Sequence, residues 1–391
     1  MEGIFNRKSG HSETKTPSGY RHSIAQNAFL LSESGDPSQD ALEKYWERIT
    51  KVKVSNSKFT IIVPVHNEEK SLASSAESLF QSLIPKKVEM SINFILNSCV
   101  DRSEAVIADF LSTMGEVTIQ NVPKEELVYY QDAGLHSTYL EVKRGNNFWR
   151  VYKTETIGKA NAIKLGSSIA LFRDHQILIS VDANNYVEPD TLTLMFRSAY
   201  SHFITQKDGV VILSATHRKE YREKHGIIER ILREHGVFDD ANYTPVYGWC
   251  MALDAMWVHE NIQLVAIEDY AMGVVARSQK RGVVHVDDAR IWGYKTNLKD
   301  SFSQFRRYIR GILQLLSLRP ELITIIMSDH YIMRPLPKRI EAIVKEIKLN
   351  PRKIFRCLWK FVYGEVGLML GKCDYKREPN NQSWAGLSST K

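Results

Sequence analysis

Phe59-Thr-Ile-Ile-Val-Pro-Val-His-Asn-Glu-Glu69 decides the fold. Its β-branched run reads as a buried strand ended by Pro64, and a polar turn follows. From Ser71 to Leu83 apolar residues recur at helical intervals, so the unit is strand, loop, helix. The alternation continues outward. Ile92 to Leu96 is a strand and Glu104 to Leu111 a helix. Then come a strand at 117–120, a hairpin at 137–153, a helix at 159–172 and a strand at 177–181. Beyond these the pattern predicts a helix at 191–203, a strand at 210–214 and a charged helix at 218–235. A Gly/Trp loop at 246–250, a helix at 269–281 and a strand at 283–286 complete it. Strands alternating with helices predict an α/β fold, a mostly parallel sheet with helices on both faces. Such sheets bind ligands beyond the carboxyl ends of their strands, so the residues after each strand are the ones to examine.

The flanks differ in character. Residues 1–40 are rich in Ser, Gly and charge and read as a disordered leader. Residues 41–57 hold a short helix, through Leu42, Tyr45, Trp46 and Ile49, and a linker. A catalytic domain is expected over 58–312, followed by a basic helical appendage and flexible tail over 313–391, with Ile340, Ile343, Val344 and Ile347 forming one apolar stripe. With 43% apolar residues the chain has ample material for a core. Its four cysteines, Cys99, Cys250, Cys357 and Cys373, stand far apart, which excludes a disulfide framework and a zinc motif. No run of 18 apolar residues is present, and no apolar segment near the N-terminus suits a signal peptide. These features predict a cytoplasmic protein.

Four polar groups follow the predicted strands or open helices. Asp182-Ala-Asn184 ends the run Ile177-Leu-Ile-Ser-Val181. Gly158-Lys159 precedes a helix, where N–H groups and an ammonium can meet a diphosphate. Glu268-Asp269 opens another helix and suits its dipole. Gln304-Phe-Arg-Arg-Tyr308 places Gln304 and Tyr308 on one side of a helix with Arg307 beside them. Neither a Walker A loop nor a dinucleotide fingerprint is present. The turn His66-Asn-Glu-Glu69 lacks the glycines a nucleotidyltransferase needs.

VPVHNEE at 63–69, LNSCVDRS at 96–103, GKANA at 158–162, the Asp182 group, Glu268-Asp269 and the Gln304–Tyr308 element occur in an order that resembles family 2 glycosyltransferases. Those are inverting enzymes of the GT-A fold that use nucleotide-diphosphate sugars, and the resemblance spans about residues 58–312. It implies that Pro64, Glu68 and Asn97 line the base and ribose pocket, with Lys159 and Asp182 on the donor. It implies a D-x-D-like metal site at Asp182 and Asn184 for Mn²⁺ or Mg²⁺, bound weakly without donor because Asn184 supplies a neutral oxygen in place of a carboxylate. Asp269 would be the general base beside Glu268, with Arg307 on the leaving diphosphate. Trp249, Gln304 and Tyr308 would border the acceptor or diphosphate. The implied function is sugar transfer to a hydroxyl on a glycan, lipid or small molecule; the alternative is an inactive relative that binds nucleotide sugars or a partner protein.

The formal charge of +7 is concentrated: residues 334–377 hold 12 Lys and Arg against 4 Asp and Glu, an excess of +8. The segment from Ile354 to Leu370 is aromatic, too short and polar to span a bilayer, and expected either to pack on the catalytic domain or to touch a membrane surface peripherally. No nucleic-acid partner is expected.

Overall fold

The computed structural model describes residues 39–123, 134–220, 248–294, 298–329, 333–349 and 354–379. The expected leader over 1–38, residues 221–235 of the charged helix, the start of the 246–250 loop and the tail after 379 lie outside the described residues.

Helix α1 (Gln39–Thr50) leads into β1 (Lys58–Val65), α2 (Leu72–Phe80), β2 (Glu89–Asn97) and α3 (Ser103–Met114). A meander of β3 (Thr118–Asn121), β4 (Thr138–Arg144) and β5 (Asn147–Thr154) follows, then α4 (Lys159–Phe172), β6 (Ile177–Val181), β7 (Tyr186–Val187) and α5 (Thr191–Ala199), extended by a π turn over Tyr200–Gln206. Next come β8 (Val210–Glu220), β9 (Cys250–Asp254), α6 (Ala255–Asn261), α7 (Glu268–Ser278) and β10 (Gly282–Tyr294). The last described elements are helices: α8 (Leu298–Leu318), a 3-10 turn at Pro320–Leu322, α9 (Ile323–Asp329), α10 (Leu336–Leu349) and α11 (Ile354–Arg377).

The strands form one sheet in the order β3-β4-β5-β2-β1-β6-β9-β8-β10-β7. Its centre, β5-β2-β1-β6, is parallel throughout, and β9 enters antiparallel between β6 and β8. Alternation along the central strands divides the core. Phe59, Ile61, Val63 and Val65 of β1 face the side covered by α1, α2, α3 and α5, whereas Ile62 faces α4, α6 and α7. Strand β6 does the same with Ile177, Ile179 and Val181 against Leu178. Each such side chain, fully buried, contributes about 1.5–3 kcal/mol of hydrophobic stabilisation, so both layers are firmly attached.

Several boundaries differ from expectation. Strand β1 runs through Pro64 to Val65, because its ladder to β6 ends at Ile62 and leaves a side where a missing N–H costs nothing. Residues 218–220 belong to β8, not to a helix, since they pair with Trp292, Gly293 and Tyr294 of β10. Cys250 begins β9 instead of closing a loop. Helix α1 starts at Gln39, inside the expected leader, and α7 starts at Glu268.

Helix α8 runs unbroken across residue 312, and its Ile312 and Leu315 share a core with Leu322, Ile326 and Tyr270. Helix α11 lies along α8: Tyr363 packs on Phe302 and Phe305, with ring centroids 5.1 and 5.3 Å away. Gly367 and Gly371 allow this approach, because a Cβ there would fall 2.3 Å from Phe305 and 2.7 Å from Ile309.

Candidate active site

Because β1, β2, β5 and β6 are parallel, Val65, Asn97, Thr154 and Val181 end at one sheet edge. Asp182 therefore leaves the sheet beside the turns that carry Glu68 and Asn97. Its backbone is clamped there: the Asp182 N–H donates to the Trp249 carbonyl at 3.0 Å, and the Asn185 N–H donates to the Asp182 carbonyl at 3.1 Å.

Gly158 takes φ +117°, open to a residue without Cβ, and turns the chain from β5 into α4. Lys159, the first residue of α4, is buried and points across the edge. Its Nζ stands 2.6 Å from Asp182 Oδ1 and 3.1 Å from Glu268 Oε1, and donates to the Gly248 carbonyl at 2.7 Å. Asp269 completes the group. Gly248 has no room for a side chain, since a Cβ would sit 2.6 Å from Asp269 Oδ2. The glycine lets the 248–249 turn lie directly on that carboxylate.

Burial alone would lower the Lys159 pKa, yet the charges of Asp182, Glu268 and Asp269 outweigh it and raise the pKa above the ordinary lysine value. The ammonium is thus firmly protonated. Burial pushes Asp182 up, opposed by Lys159. Asp269 is pushed up to about 6 by burial and by the neighbouring Glu268 charge, against the pull of Lys159. A carboxyl that titrates near 6 is ionised at neutral pH and basic enough to accept a proton.

Helix α8 also reaches the cluster, and three consecutive residues of it take three partners. Arg306 forks onto Asp374 of α11 at 3.1 and 2.7 Å. The Arg307 charge reaches Asp182 and opposes its upward shift, and among the described residues its buried Nε has no hydrogen-bond partner. Tyr308 packs on Tyr270, with centroids 5.4 Å apart. Burial, then Tyr270, then the charge of Asp269 hold its phenol well above the ordinary value. Gln304 is half-buried.

The turns after β1 and β2 are laced together. The Glu68 N–H donates to Ser103 Oγ at 2.8 Å, the Glu69 N–H to Asp101 Oδ2 at 3.0 Å, and the Val100 N–H to Asn67 Oδ1 at 2.8 Å. Glu68 Oε2 accepts from Ser71 Oγ at 2.8 Å, and Pro64 is buried in β1 itself. Within this frame Asn97 is buried, and among the described residues neither its Oδ1 nor its Nδ2 has a partner. Each unmet buried group costs about 1–3 kcal/mol, so this amide lies in an unfavourable state as it stands. Trp249 is partly covered and lies 4.9 Å from His217, ring to ring.

The donor set for a divalent cation is short. Asp182 Oδ1 faces Lys159, Asn184 offers a half-buried amide oxygen, and among the described residues no group of three or more His, Cys, Asp or Glu can hold a metal. A hard cation takes about six oxygens, so these two residues fit one only if a diphosphate supplies more. Mn²⁺ titrated calorimetrically into the free protein is therefore expected to bind weakly, and to bind far more tightly once a nucleoside diphosphate is present.

Two contributors escape the sequence reading: Asn185, which holds the Asp182 carbonyl, and Gln314. Buried Gln314 of α8 accepts from the Ala266 N–H at 3.0 Å and donates to the Pro379 carbonyl at 2.8 Å. It thereby ties the segment that carries Glu268 and Asp269 to the end of α11. The signal was one amide inside Ile312-Leu-Gln-Leu-Leu316. Gln314→Leu keeps the volume but orphans both backbone groups, so a loss of about 2 kcal/mol is expected in urea unfolding.

No known protein family and no curated protein matches this chain. Among solved structures it is similar to the mannosyltransferase PcManGT from Pyrobaculum calidifontis in complex with GDP-Man and Mn²⁺, at 12% identity over 93% of this chain and 88% of that one, with a TM-score of 0.44. It is also similar to glucosyl-3-phosphoglycerate synthase from Mycobacterium tuberculosis, at 12% identity over 72% and 83% of the two chains, TM-score 0.38. A third is S. aureus TarS 1-349 in complex with UDP-GlcNAc, at 15% identity over 85% and 95%, TM-score 0.38. All three likenesses are remote.

Proposed function

We propose that this protein is an inverting, GT-A-type glycosyltransferase that moves a sugar from a nucleoside diphosphate to a hydroxyl acceptor. The observation that carries the reading is Asp269, a carboxyl raised to about 6 in a cluster where Lys159 bears on Asp269 and both Lys159 and Arg307 bear on Asp182. A single displacement needs one base to take the acceptor's proton while the leaving diphosphate departs from the opposite face of the sugar. Asp269 suits the first task. Lys159 and Arg307 suit the second, as a protonated ammonium and a guanidinium with a free buried N–H. The unpaired Asn97 amide suits the hydrogen-bonding edge of a nucleobase. The order of motifs shared with family 2 glycosyltransferases supports the same assignment. A divalent cation held by Asp182, Asn184 and the donor would add charge neutralisation at the diphosphate.

A thermal-shift screen of UDP-, GDP- and dTDP-sugars with Mn²⁺ tests the proposal, because a true donor stabilises the folded state by mass action. One nucleotide class is expected to raise Tm, and the sugar it carries to be transferred or slowly hydrolysed. Binding with neither transfer nor hydrolysis would make the chain an inactive relative, and no stabilisation by any nucleotide would end the reading.

A further inference from the structure

Three oxygens close on the buried Lys159 ammonium from three parts of the chain. Asp182 Oδ1 comes from the end of β6 at 2.6 Å, Glu268 Oε1 from the start of α7 at 3.1 Å, and the Gly248 carbonyl from the turn before β9 at 2.7 Å. Two carboxylates and a peptide carbonyl are the hard ligands that Mg²⁺ and Mn²⁺ take. The charges point the same way. Asp182 and Glu268 carry two formal negative charges against one on the ammonium, and a divalent ion would match the pair. Asp269 and Arg307 add one charge of each sign, so the cluster keeps a negative excess with Lys159 in place.

The backbone that carries these oxygens is held without help from the lysine. The Asp182 N–H donates to the Trp249 carbonyl at 3.0 Å, and the Asp182 carbonyl accepts from the Asn185 N–H at 3.1 Å. Gly248, next to Trp249, lies so close to Asp269 that a Cβ would sit 2.6 Å from its Oδ2. Gln314 fixes the approach to Glu268 through the Ala266 N–H at 3.0 Å.

We propose that Lys159 is the resident occupant of a divalent-cation site formed by Asp182, Glu268 and the Gly248 carbonyl, and that Mn²⁺ or Mg²⁺ enters only by displacing its ammonium. Ion and ammonium exclude each other, since both need Asp182 Oδ1 and like charges that close repel strongly. Neutral Asn184 weakens the site; Lys159 blocks it. A diphosphate relieves the block, because its oxygens can take the ammonium and leave Asp182 and Asn184 to the ion. That last step rests on the glycosyltransferase reading. The exclusion itself does not, and it is measured without nucleotide.

Calorimetric titration of Mn²⁺ into the nucleotide-free protein is the test. Two variants serve: Lys159→Met, and the gentler Lys159→Gln, whose amide can still donate to the same oxygens. Each is expected to bind Mn²⁺ at least about ten-fold more tightly than the wild type, because a buried like charge is gone. Mn²⁺ should also raise the Tm of both variants while hardly changing that of the wild type. Lys159→Met combined with Asp182→Asn and Glu268→Gln should lose the new binding, which assigns it to these acids. Unaltered Mn²⁺ affinity in the single variants, or their failure to be stabilised or folded by Mn²⁺, would overturn the inference. Undiminished binding by the triple variant would do the same. Failure of every nucleotide to stabilise the wild type would instead refute the glycosyltransferase reading and leave the cation exchange standing.

Discussion

Asp269→Asn is expected to lower transfer by about 10²–10⁴-fold, the usual contribution of a positioned base, while donor binding stays within a few fold. In the wild type, kcat/KM should rise with pH and level off above about 6 as Asp269 loses its proton, and the residual activity of the variant should lack that limb. Stability moves in the opposite direction. The folded pKa of Asp269 lies above its unfolded value near 3.8, so this group favours the native state at low pH, and that contribution is lost as pH rises through about 6. Removing the charge should therefore stabilise the protein at pH 8 by about 1–2 kcal/mol, allowing for the water that still reaches a partly covered carboxyl. At a pH below the unfolded value no gain is expected. Urea midpoints at the two pH values read the difference, and unchanged turnover in the variant would remove Asp269 from the mechanism.

Lys159→Met should have the largest effect on folding. It leaves Asp182 and Glu268 facing each other without the ammonium now 2.6 and 3.1 Å away. Breaking a buried ion pair by removing one partner costs about 3–5 kcal/mol. The raised pKa of Lys159 means its contribution is fully present at neutral pH and lost only in strong base. The deficit of the variant should shrink as the pH is lowered, because burial already raises the Asp182 carboxyl and the variant removes the cation that opposes that rise. Adding Asp182→Asn and Glu268→Gln should restore much of the stability without restoring donor binding. This separates the electrostatic task of Lys159 from its place in the cluster. If the single variant melted like the wild type, the ion-pair account would be wrong.

The parts of the fold that were legible in the sequence have strong local periodicity. Helix α4 and strand β6 begin and end at the expected residues, because Gly158 and the charged turn before Ile177 mark their limits. Strand β9 and helix α6 were missed because a single polar residue, Asp254, is all that separates them. Cys250-Met-Ala-Leu-Asp254 runs straight into α6, and Asp254 serves as N-cap by accepting from the Trp257 N–H at 2.9 Å. The strand character of residues 218–220 comes from pairing with β10, which is remote in sequence. In the site, the chemical types were legible but their mutual arrangement was not. Nothing local says that Lys159 bridges Asp182 and Glu268, that Asn97 is left unpaired, or that Tyr308 lies against Tyr270.

Helix α8 sends Arg306, Arg307 and Tyr308 toward Asp374, Asp182 and Tyr270 in turn. Inserting or deleting one residue upstream of them would swing all three by about 100° and slide them by about 1.5 Å. No small adjustment of the neighbours could follow. Substitutions at exposed Ser303 should be tolerated freely, whereas any change in the residue count between 298 and 308 should break all three contacts at once. The length of this helix is under tighter constraint than most of its letters.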